Sequence, residues 1–140
     1  MAGEPEKFLG NVAQKALIKK DGKILVCRGI GDKVWEFPGG RLHVGETPVE
    51  GIVREIKEEL GIKITNIKPF YVGSSFHYKS NMEQVFITYT CDYNSASLAV
   101  DPKEIEEIKW VTLEEIKILP MFEDGGTKGT VAELVKELMK

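Results

Sequence analysis

Three glutamates, Glu55, Glu58 and Glu59, lie close together in the segment REIKEELG, residues 54–61. If this segment is helical, spacings of three and four residues place their carboxylates on one helix face. Like charges at such spacings destabilise an exposed helix by roughly 0.2 to 0.5 kcal/mol each. Carboxylate oxygens are also ligands that Mg²⁺ prefers, so a bound cation would make the cluster favourable. The alternative is an ordinary solvated face, because glutamate is a good helix former.

Local signals predict a helix that carries these glutamates. Thr47 is a suitable N-cap, Pro48 suits the first helical position, and Glu50 lies three residues beyond the cap, which completes a capping box. Gly61 is suited to end the helix in a left-handed conformation. We therefore expect a helix from Pro48 to Leu60. Its core-facing side is formed by five apolar residues: Val49, Ile52, Val53, Ile56 and Leu60.

Other elements follow from hairpin and strand patterns. Asp21 and Gly22 predict a tight turn between strands at residues 11–20 and 23–29. Further strands are expected within residues 63–78, 82–93 and 107–111, followed by a capping box at Thr112 and Glu115. A last amphipathic helix is expected from about Thr130, with Val131, Leu134, Val135 and Leu138 at helical spacing. This order of elements indicates helices packed on a mixed sheet.

Residues upstream of the helix extend the chemical pattern. Gly39 and Gly40 end a loop, and glycine allows the backbone to approach a ligand closely or to expose a carbonyl oxygen to it. The spacing from Gly40 is five residues, Glu46, seven residues, and then the segment 54–62. The 23 residues from Gly40 to Ile62 resemble the Nudix box at every fixed position. WEFPGG (residues 35–40) and EIEEIKWV (residues 104–111) resemble further features of that family.

The resemblance implies a fold and a reaction. The fold would be a Nudix-type α/β/α sandwich, with a mixed β-sheet between helices and the box as a loop-helix-loop unit. Nudix enzymes hydrolyse a nucleoside diphosphate linked to another moiety. By resemblance, the carbonyl of Gly40 and the carboxylates of Glu55, Glu58 and Glu59 would hold one to three Mg²⁺ or Mn²⁺ ions. Such ions neutralise phosphate oxygens and acidify the attacking water.

The resemblance leaves the catalytic base open. Some family members use a box glutamate and others a glutamate from a later loop. The candidate catalytic residues here are therefore Glu55, Glu58 and Glu104, although Glu104 could be ordinary surface charge. Arg54 is expected to brace one box carboxylate. Glu46 is expected either to cap the loop or to bind metal through water.

Residues that would contact substrate are less well defined. Arg28 and Arg41 could bind phosphates with their fork of donors, or form surface salt bridges instead. Five aromatic residues could stack on a nucleobase or belong to the core: Trp35, Phe37, Phe76, Tyr78 and Phe122. His77 could bond a phosphate or a sugar, whereas His43 is interpreted as a loop residue.

The motif WEFPGG favours a MutT-type pyrophosphatase of nucleoside or deoxynucleoside triphosphates. The alternatives are an ADP-ribose, nucleotide-sugar or dinucleoside-polyphosphate hydrolase. Residues 119–130 contain no asparagine, which argues against recognition of oxidised guanine by the family's usual residue. A catalytically inactive Nudix-like nucleotide-binding module is the alternative of another class, but it would be expected to lose box glutamates. The alternating oxygen ligands of a calcium-binding EF-hand are absent.

Composition limits the partners. The 140 residues carry a net charge of −3 and a pI near 5.5, which argues against a broad basic surface for duplex nucleic acid. We expect one domain over residues 1–140, a small nucleotide substrate and no membrane partner. A cytoplasmic location with reduced thiols at Cys27 and Cys91 is expected. The resemblance leaves a homodimer open, since family members are often dimers.

Overall fold

The structure is a computed structural model that describes residues 3–77, 80–94, 97–121 and 130–140. Its strands are β1 (Gly10–Leu17), β2 (Lys19–Lys20), β3 (Lys23–Gly29), β4 (Gly39–Arg41), β5 (Ile64–His77), β6 (Met82–Tyr93) and β7 (Ile105–Val111). Its helices are α1 (Pro48–Leu60), α2 (Leu113–Ile118) and α3 (Thr130–Leu138). The α/β class expected from the sequence is confirmed.

The strands form two sheets. The first has the order β4-β1-β6-β5, in which β1 runs parallel to β6 and the other neighbours are antiparallel. The second is antiparallel, with the order β2-β3-β7. The sequence patterns predict a mixed sheet but do not show that the strands divide into two sheets. The division occurs because β1 ends at Leu17 and β2 pairs with β3 in the second sheet.

Two hydrophobic cores lie on opposite sides of β1. Ala16 packs with Ile52, Ile56 and Leu60 of α1, whereas Leu17 packs in a second core with residues of α2 and α3. Successive strand residues point to opposite faces, so adjacent positions of one strand enter different cores. Each fully buried aliphatic side chain contributes roughly 1.5 to 3 kcal/mol. Helix α1 is thereby fixed against the sheet, and its other face carries the glutamates.

The helix caps follow the local signals, with one difference. Helix α1 spans Pro48–Leu60 as expected, and Thr47 accepts a hydrogen bond from the Glu50 N–H at 3.2 Å. The Glu50 carboxylate, however, accepts from the Thr47 hydroxyl rather than from the Thr47 backbone, so the expected capping box is only half formed. A complete capping box begins α2, where the Thr112 N–H and the Glu115 carboxylate bond to each other.

Other sequence expectations concern the turn, the cysteines and the membrane. Asp21 and Gly22 have φ values of 51° and 76°, as expected for a tight hairpin turn. Cys27 and Cys91 are free thiols, the first buried and the second half-buried. Within residues 3–77, 80–94, 97–121 and 130–140, no helix has the length and apolar character required to cross a bilayer.

Gly61 is the residue whose replacement tests how the end of α1 is built. Its φ is +67°, and a Cβ there would lie 2.7 Å from the Cβ of Ala99. Gly22 also has a positive φ, of +76°, but a Cβ there meets nothing within 4 Å. We expect Gly22→Ala to cost about 1 to 2 kcal/mol of unfolding free energy from the backbone conformation alone. Gly61→Ala should cost more, because it adds a steric overlap.

Urea denaturation of both variants measures this difference. The Gly22→Ala variant is the matched control, since it changes the backbone preference without the overlap. Equal losses of stability in the two variants would contradict close packing between Gly61 and the 97–101 segment.

Candidate metal centre and active site

Two glycines bring β4 against both β1 and helix α1. Gly39 has a φ of +145°, and a Cβ at this position would overlap the Gln14 carbonyl oxygen. At Gly40 a Cβ would lie 2.6 Å from the carboxyl carbon of Glu55. The carboxylate of Glu55 therefore lies directly against the Gly40 backbone. Side chains at these two positions would separate the strand from the helix.

Arg54 connects three carboxylates around the start of this face. Its Nε and Nη2 donate to the two oxygens of Glu46 at 2.9 and 2.7 Å. Its Nη1 donates to Glu55 at 2.9 Å and to Glu58 at 3.3 Å. The sequence predicts that Arg54 braces one carboxylate, and the structure shows three. We call Arg54, Glu46, Glu55 and Glu58 the Arg54 cluster.

Glu46 ties the loop before α1 to the helix. Besides the paired bonds from Arg54, its Oε1 accepts the N–H of His43 at 2.7 Å. These contacts, with Arg54 contributing most, lower the pKa of Glu46 to about 2. Glu46 is therefore ionised at neutral pH, and both of its oxygens already have protein partners.

Glu59 has a different environment from the Arg54 cluster. Its carboxylate is largely buried and accepts the N–H of Gly39 at 3.1 Å. Burial raises the pKa of Glu59 to about 8, and the neighbouring charges of Glu55 and Glu36 add to this effect. Lys15 and the Gly39 N–H oppose it. The charged form of Glu59 is therefore disfavoured at neutral pH and would be favoured by a nearby cation.

The chemistry of these groups fits a divalent cation. Three carboxylates and a peptide carbonyl are hard oxygen donors of the kind that Mg²⁺ and Mn²⁺ bind. The side chain of Glu55 is 13% exposed and that of Glu58 is 56% exposed. Within the described residues, no three acidic, histidine or cysteine side chains converge on one point. Glu55 and Glu58 bond to Arg54, whereas Glu59 bonds to Gly39, so the predicted ligand set stays a prediction.

The loop that carries Glu104 is attached to the end of α1. The N–H groups of Ala99 and Asp101 donate to the carbonyls of Leu60 and Glu59 at 2.8 and 3.0 Å. The Glu104 N–H then donates to the Asp101 carbonyl at 3.2 Å, and the Glu104 side chain is exposed. The backbone of Glu104 is thus fixed close to the end of the box helix.

The two candidate phosphate ligands differ in their contacts. The Arg28 side chain donates to Glu106, to Glu107 and to the carbonyl of Asp32. The hydrogen bonds that Arg28 donates to Glu107 and Glu106 also raise the pKa of Arg28. Arg28 therefore forms salt bridges, which is one of the two roles that the sequence left open for it. Arg41 is exposed, follows Gly40 directly, and has no ion pair among the described residues.

Trp35 and Phe37, predicted as candidates for stacking on a base, belong to the second core. They are 7% and 4% exposed, and the N–H of Trp35 donates to the Pro120 carbonyl at 2.8 Å. The guanidinium of Arg28 lies 5.5 Å from the centre of the Trp35 ring. These two rings therefore occupy core positions, one of the two roles that the sequence left open, because the segment before Gly39 runs beside β3 and turns them inward.

The remaining candidates have varied positions. Phe76 is half-buried, and His77 is buried with its Nδ1 2.7 Å from the Ser80 hydroxyl. His43 is exposed on the loop before α1, as expected. Tyr78 and Phe122 lie outside the described residues.

Lys15 and Glu36 are two residues near the site that sequence reasoning missed. They form an ion pair at 3.7 Å, and both influence the pKa of Glu59. Lys15 occupies the same face of β1 as Ala13 and Leu17, which are buried. The sequence could have indicated Lys15, because it places a lysine at an inward-facing position of a strand and a buried charge needs a partner.

Comparison with known proteins identifies the family. The NUDIX domain profile matches residues 12–131 of this chain. The chain belongs to the Nudix family. The family is the one that the box residues resemble, and Nudix hydrolases generally use divalent metal ions. Which ion this chain uses is a separate question.

Two curated relatives show different substrates within the family. The nucleoside triphosphatase NudI of Enterobacter sp. (strain 638) is 33% identical over 120 residues, covering 76% of this chain and 85% of NudI. The NAD-capped RNA hydrolase NudC of Salmonella heidelberg (strain SL476) is 28% identical over 122 residues and 86% of this chain. The chain spans about 44% of the length of that NudC relative.

Solved structures agree with the fold. A MutT Nudix hydrolase from Burkholderia pseudomallei superimposes with a TM-score of 0.73 at 22% identity, covering 91% of this chain and 97% of that protein. The E. coli ORF135 protein gives a TM-score of 0.77 at 22% identity, covering 98% and 94%. These similarities establish the α/β architecture.

The raised pKa of Glu59 predicts a pH-dependent stability. Above pH 4.5 the carboxyl group ionises in the unfolded chain, but in the folded chain it stays largely protonated until about pH 8. Rising pH therefore destabilises the wild type through this group, by about 1.4 kcal/mol for each unit of pKa difference. Glu59→Gln removes the ionisation, so its stability relative to wild type should increase between pH 5 and pH 8.

Chemical denaturation in EDTA at several pH values measures this effect. Glu58→Gln is the control, because it removes one negative charge from the same helix at a more exposed position. A stability difference between Glu59→Gln and wild type that does not grow with pH would show that Glu59 is not held in a desolvated site.

Proposed function

We propose that this chain is a divalent-metal-dependent Nudix hydrolase that cleaves a phosphoanhydride bond in a nucleoside diphosphate linked to another moiety. Its first candidate substrates are nucleoside and deoxynucleoside triphosphates, as for MutT-type pyrophosphatases. The observation that carries the proposal is the placement of Glu55 against Gly40 and of Glu59 against Gly39 within a complete box. Similarity to a nucleoside triphosphatase over most of both chains supports the substrate class.

In this proposal the box supplies the metal ligands. The carbonyl of Gly40 and the carboxylates of Glu55, Glu58 and Glu59 would hold Mg²⁺ or Mn²⁺. A bound ion of this kind neutralises phosphate oxygens and lowers the pKa of an attacking water. Arg54 orients Glu55 and Glu58, and outer contacts of this type commonly change metal affinity by about 10- to 100-fold.

We assign the proton acceptor to Glu104 and a phosphate contact to Arg41. The Glu104 side chain is exposed on the loop that bonds to the end of α1, whereas Glu55 and Glu58 both accept from Arg54. Glu104 has no ion pair among the described residues, so its oxygens are available to accept a proton. Arg41 follows Gly40 and can donate to phosphate oxygens with its planar fork.

A substrate screen tests the proposed reaction. The full chain is incubated in Mg²⁺ and in Mn²⁺ with nucleoside triphosphates, ADP-ribose, a nucleotide sugar, a dinucleoside polyphosphate and NAD. Products are separated chromatographically, which also identifies the cleaved phosphoanhydride bond. Turnover of triphosphates to a nucleoside monophosphate and pyrophosphate is the expected result. Preferred turnover of another compound in the screen would change the proposed substrate class. If none of the compounds is hydrolysed, the proposed function is contradicted.

Replacement of Glu58 tests the role of the acidic face in turnover. Glu58→Gln removes one proposed ligand charge while keeping nearly the same shape, so kcat should fall by at least about a hundredfold. The fold should persist, because this side chain is more than half exposed. Circular dichroism and steady-state kinetics at saturating Mg²⁺ measure the two effects.

Glu50→Gln is the matched control for this variant. Glu50 lies in the first turn of the same helix, bonds to Thr47 and is not a proposed ligand. Its replacement should leave kcat within about twofold of wild type, since it lies outside the proposed metal site. Unchanged turnover of Glu58→Gln would remove Glu58 from the proposed ligands.

A further inference from the structure

Three polar residues form a row across β1, β6 and β5 of the first sheet, near the start of β1 and β6 and the end of β5. Gln84 of β6 is directly opposite Asn11 of β1 on one side and Ser75 of β5 on the other. Residues that are paired across neighbouring strands point to the same face of a sheet. We call Asn11, Gln84 and Ser75 the polar row. Gln84 and Ser75 are 3% and 7% exposed, respectively.

Each residue of the polar row has a buried oxygen that lacks a hydrogen-bond partner within the described part of the chain. These atoms are Asn11 Oδ1, Gln84 Oε1 and Ser75 Oγ. Buried polar atoms in folded proteins nearly always have a partner, because an unpaired one loses its bonds to water. Three such oxygens side by side on adjacent strands form an arrangement that a ligand with several hydrogen-bond donors would satisfy.

The chemistry of the row selects among parts of a nucleotide. The unpaired amide oxygens of Asn11 and Gln84 favour a ligand group that donates hydrogen bonds over a phosphate, whose ionised oxygens only accept. A nucleobase with an exocyclic amine offers donors in a plane, and the carboxamides of asparagine and glutamine pair with the amino edge of adenine. The next row on the same face contains the Phe86 ring, which lies over Gly73. This ring is itself buried and packs against Tyr71, so the selection of the base rests on the polar groups of the row.

The polar row is also at a suitable distance from the box. Along β1, Asn11 and Lys15 are four residues apart, or about 13 Å at strand spacing. Lys15 pairs with Gly39 of β4 and lowers the pKa of Glu59, so it marks the part of β1 that lies nearest the proposed metal ligands. The separation is comparable to the span of an extended nucleoside diphosphate. A base at the row would thus allow the phosphates to reach the box.

We propose that Asn11, Gln84 and Ser75 form the nucleobase subsite and that their oxygens accept hydrogen bonds from an amino-bearing base, with adenine preferred. This proposal rests on the proposed function, because it assumes a nucleotide substrate. It assigns the base-determining contacts to the polar row and not to Trp35 or Phe37, which lie in the second core.

Binding of AMP and IMP tests the proposal without requiring catalysis. The two ligands differ at position 6 of the base, where the amine of adenine is replaced by an oxygen. Calorimetric titration of the full chain in Mg²⁺ should give AMP at least about fivefold tighter than IMP, in line with loss of a buried hydrogen bond. Gln84→Met should reduce this ratio to within about twofold, because methionine has a side chain of similar length but lacks the amide oxygen that accepts the hydrogen bond.

Thermal stability separates recognition from a structural role. Gln84→Met should raise the Tm of the ligand-free protein, since it replaces an unpaired buried amide oxygen by an apolar group. Gln14→Met is the matched control on the opposite face of the sheet. Gln14 also has a buried Oε1 without a partner among the described residues, but its Nε2 donates to the Pro48 carbonyl and the Tyr89 hydroxyl. Gln14→Met loses both of these bonds, so it should have a lower Tm and keep the AMP preference. Ser75→Ala, the smallest change in the row, repeats the test if Gln84→Met does not fold.

The outcomes distinguish this inference from the proposed reaction. A wild-type protein that binds neither ligand, or binds both equally, overturns the subsite. A preserved AMP preference in Gln84→Met also overturns it, whatever the Tm. A clear AMP preference that is lost in the variant supports the subsite even if the substrate screen detects no hydrolysis, in which case only the reaction fails. Hydrolysis without a base preference leaves the reaction standing and removes the subsite.

Discussion

The structure depends on the compensation of negative charge on one face of α1. Four carboxylates lie on or beside this face, and Arg54 bonds to those of Glu46, Glu55 and Glu58. Two unit charges 4 Å apart interact by roughly 4 kcal/mol at an effective dielectric constant of 20. Uncompensated repulsion of that size would oppose folding. Glu59 accepts from the Gly39 N–H instead, while its burial, with a smaller contribution from Glu55 and Glu36, raises its pKa. The remaining negative charge is what a divalent cation would balance.

The fold serves this face through close backbone contacts. Gly39 and Gly40 allow β4 to lie between β1 and α1, so that backbone groups reach Glu59 and Glu55. At the other end of the helix, Gly61 allows the 97–101 segment to bond to the last carbonyls of α1. The buried side of α1 contributes most of the stability that holds the face in place. Packing on the apolar side of α1 thus offsets the energetic cost of the close backbone contacts and of the charge repulsion on its acidic side.

The sequence predicts local features well and tertiary environments poorly. The limits of α1 follow from Thr47, Pro48 and Gly61, because caps and helix breakers act within a few residues. The pairing of β1 with β6 joins residues such as Gly10 and Glu83, and no local pattern specifies such a partner. For the same reason the burial of Trp35 and of Glu59 could not be inferred. Both depend on side chains that other strands supply. The box itself was recognisable because its spacing is fixed along the chain.

The central claim is that the acidic face of α1 binds a divalent cation. Calorimetric titration of Mn²⁺ into EDTA-stripped protein near pH 7.5 tests it most directly, with Glu55→Gln and Glu50→Gln compared with wild type. The account predicts saturable binding that is at least about tenfold weaker in Glu55→Gln and unchanged in Glu50→Gln. Absence of binding to the wild type, or equal affinity in all three proteins, would contradict it.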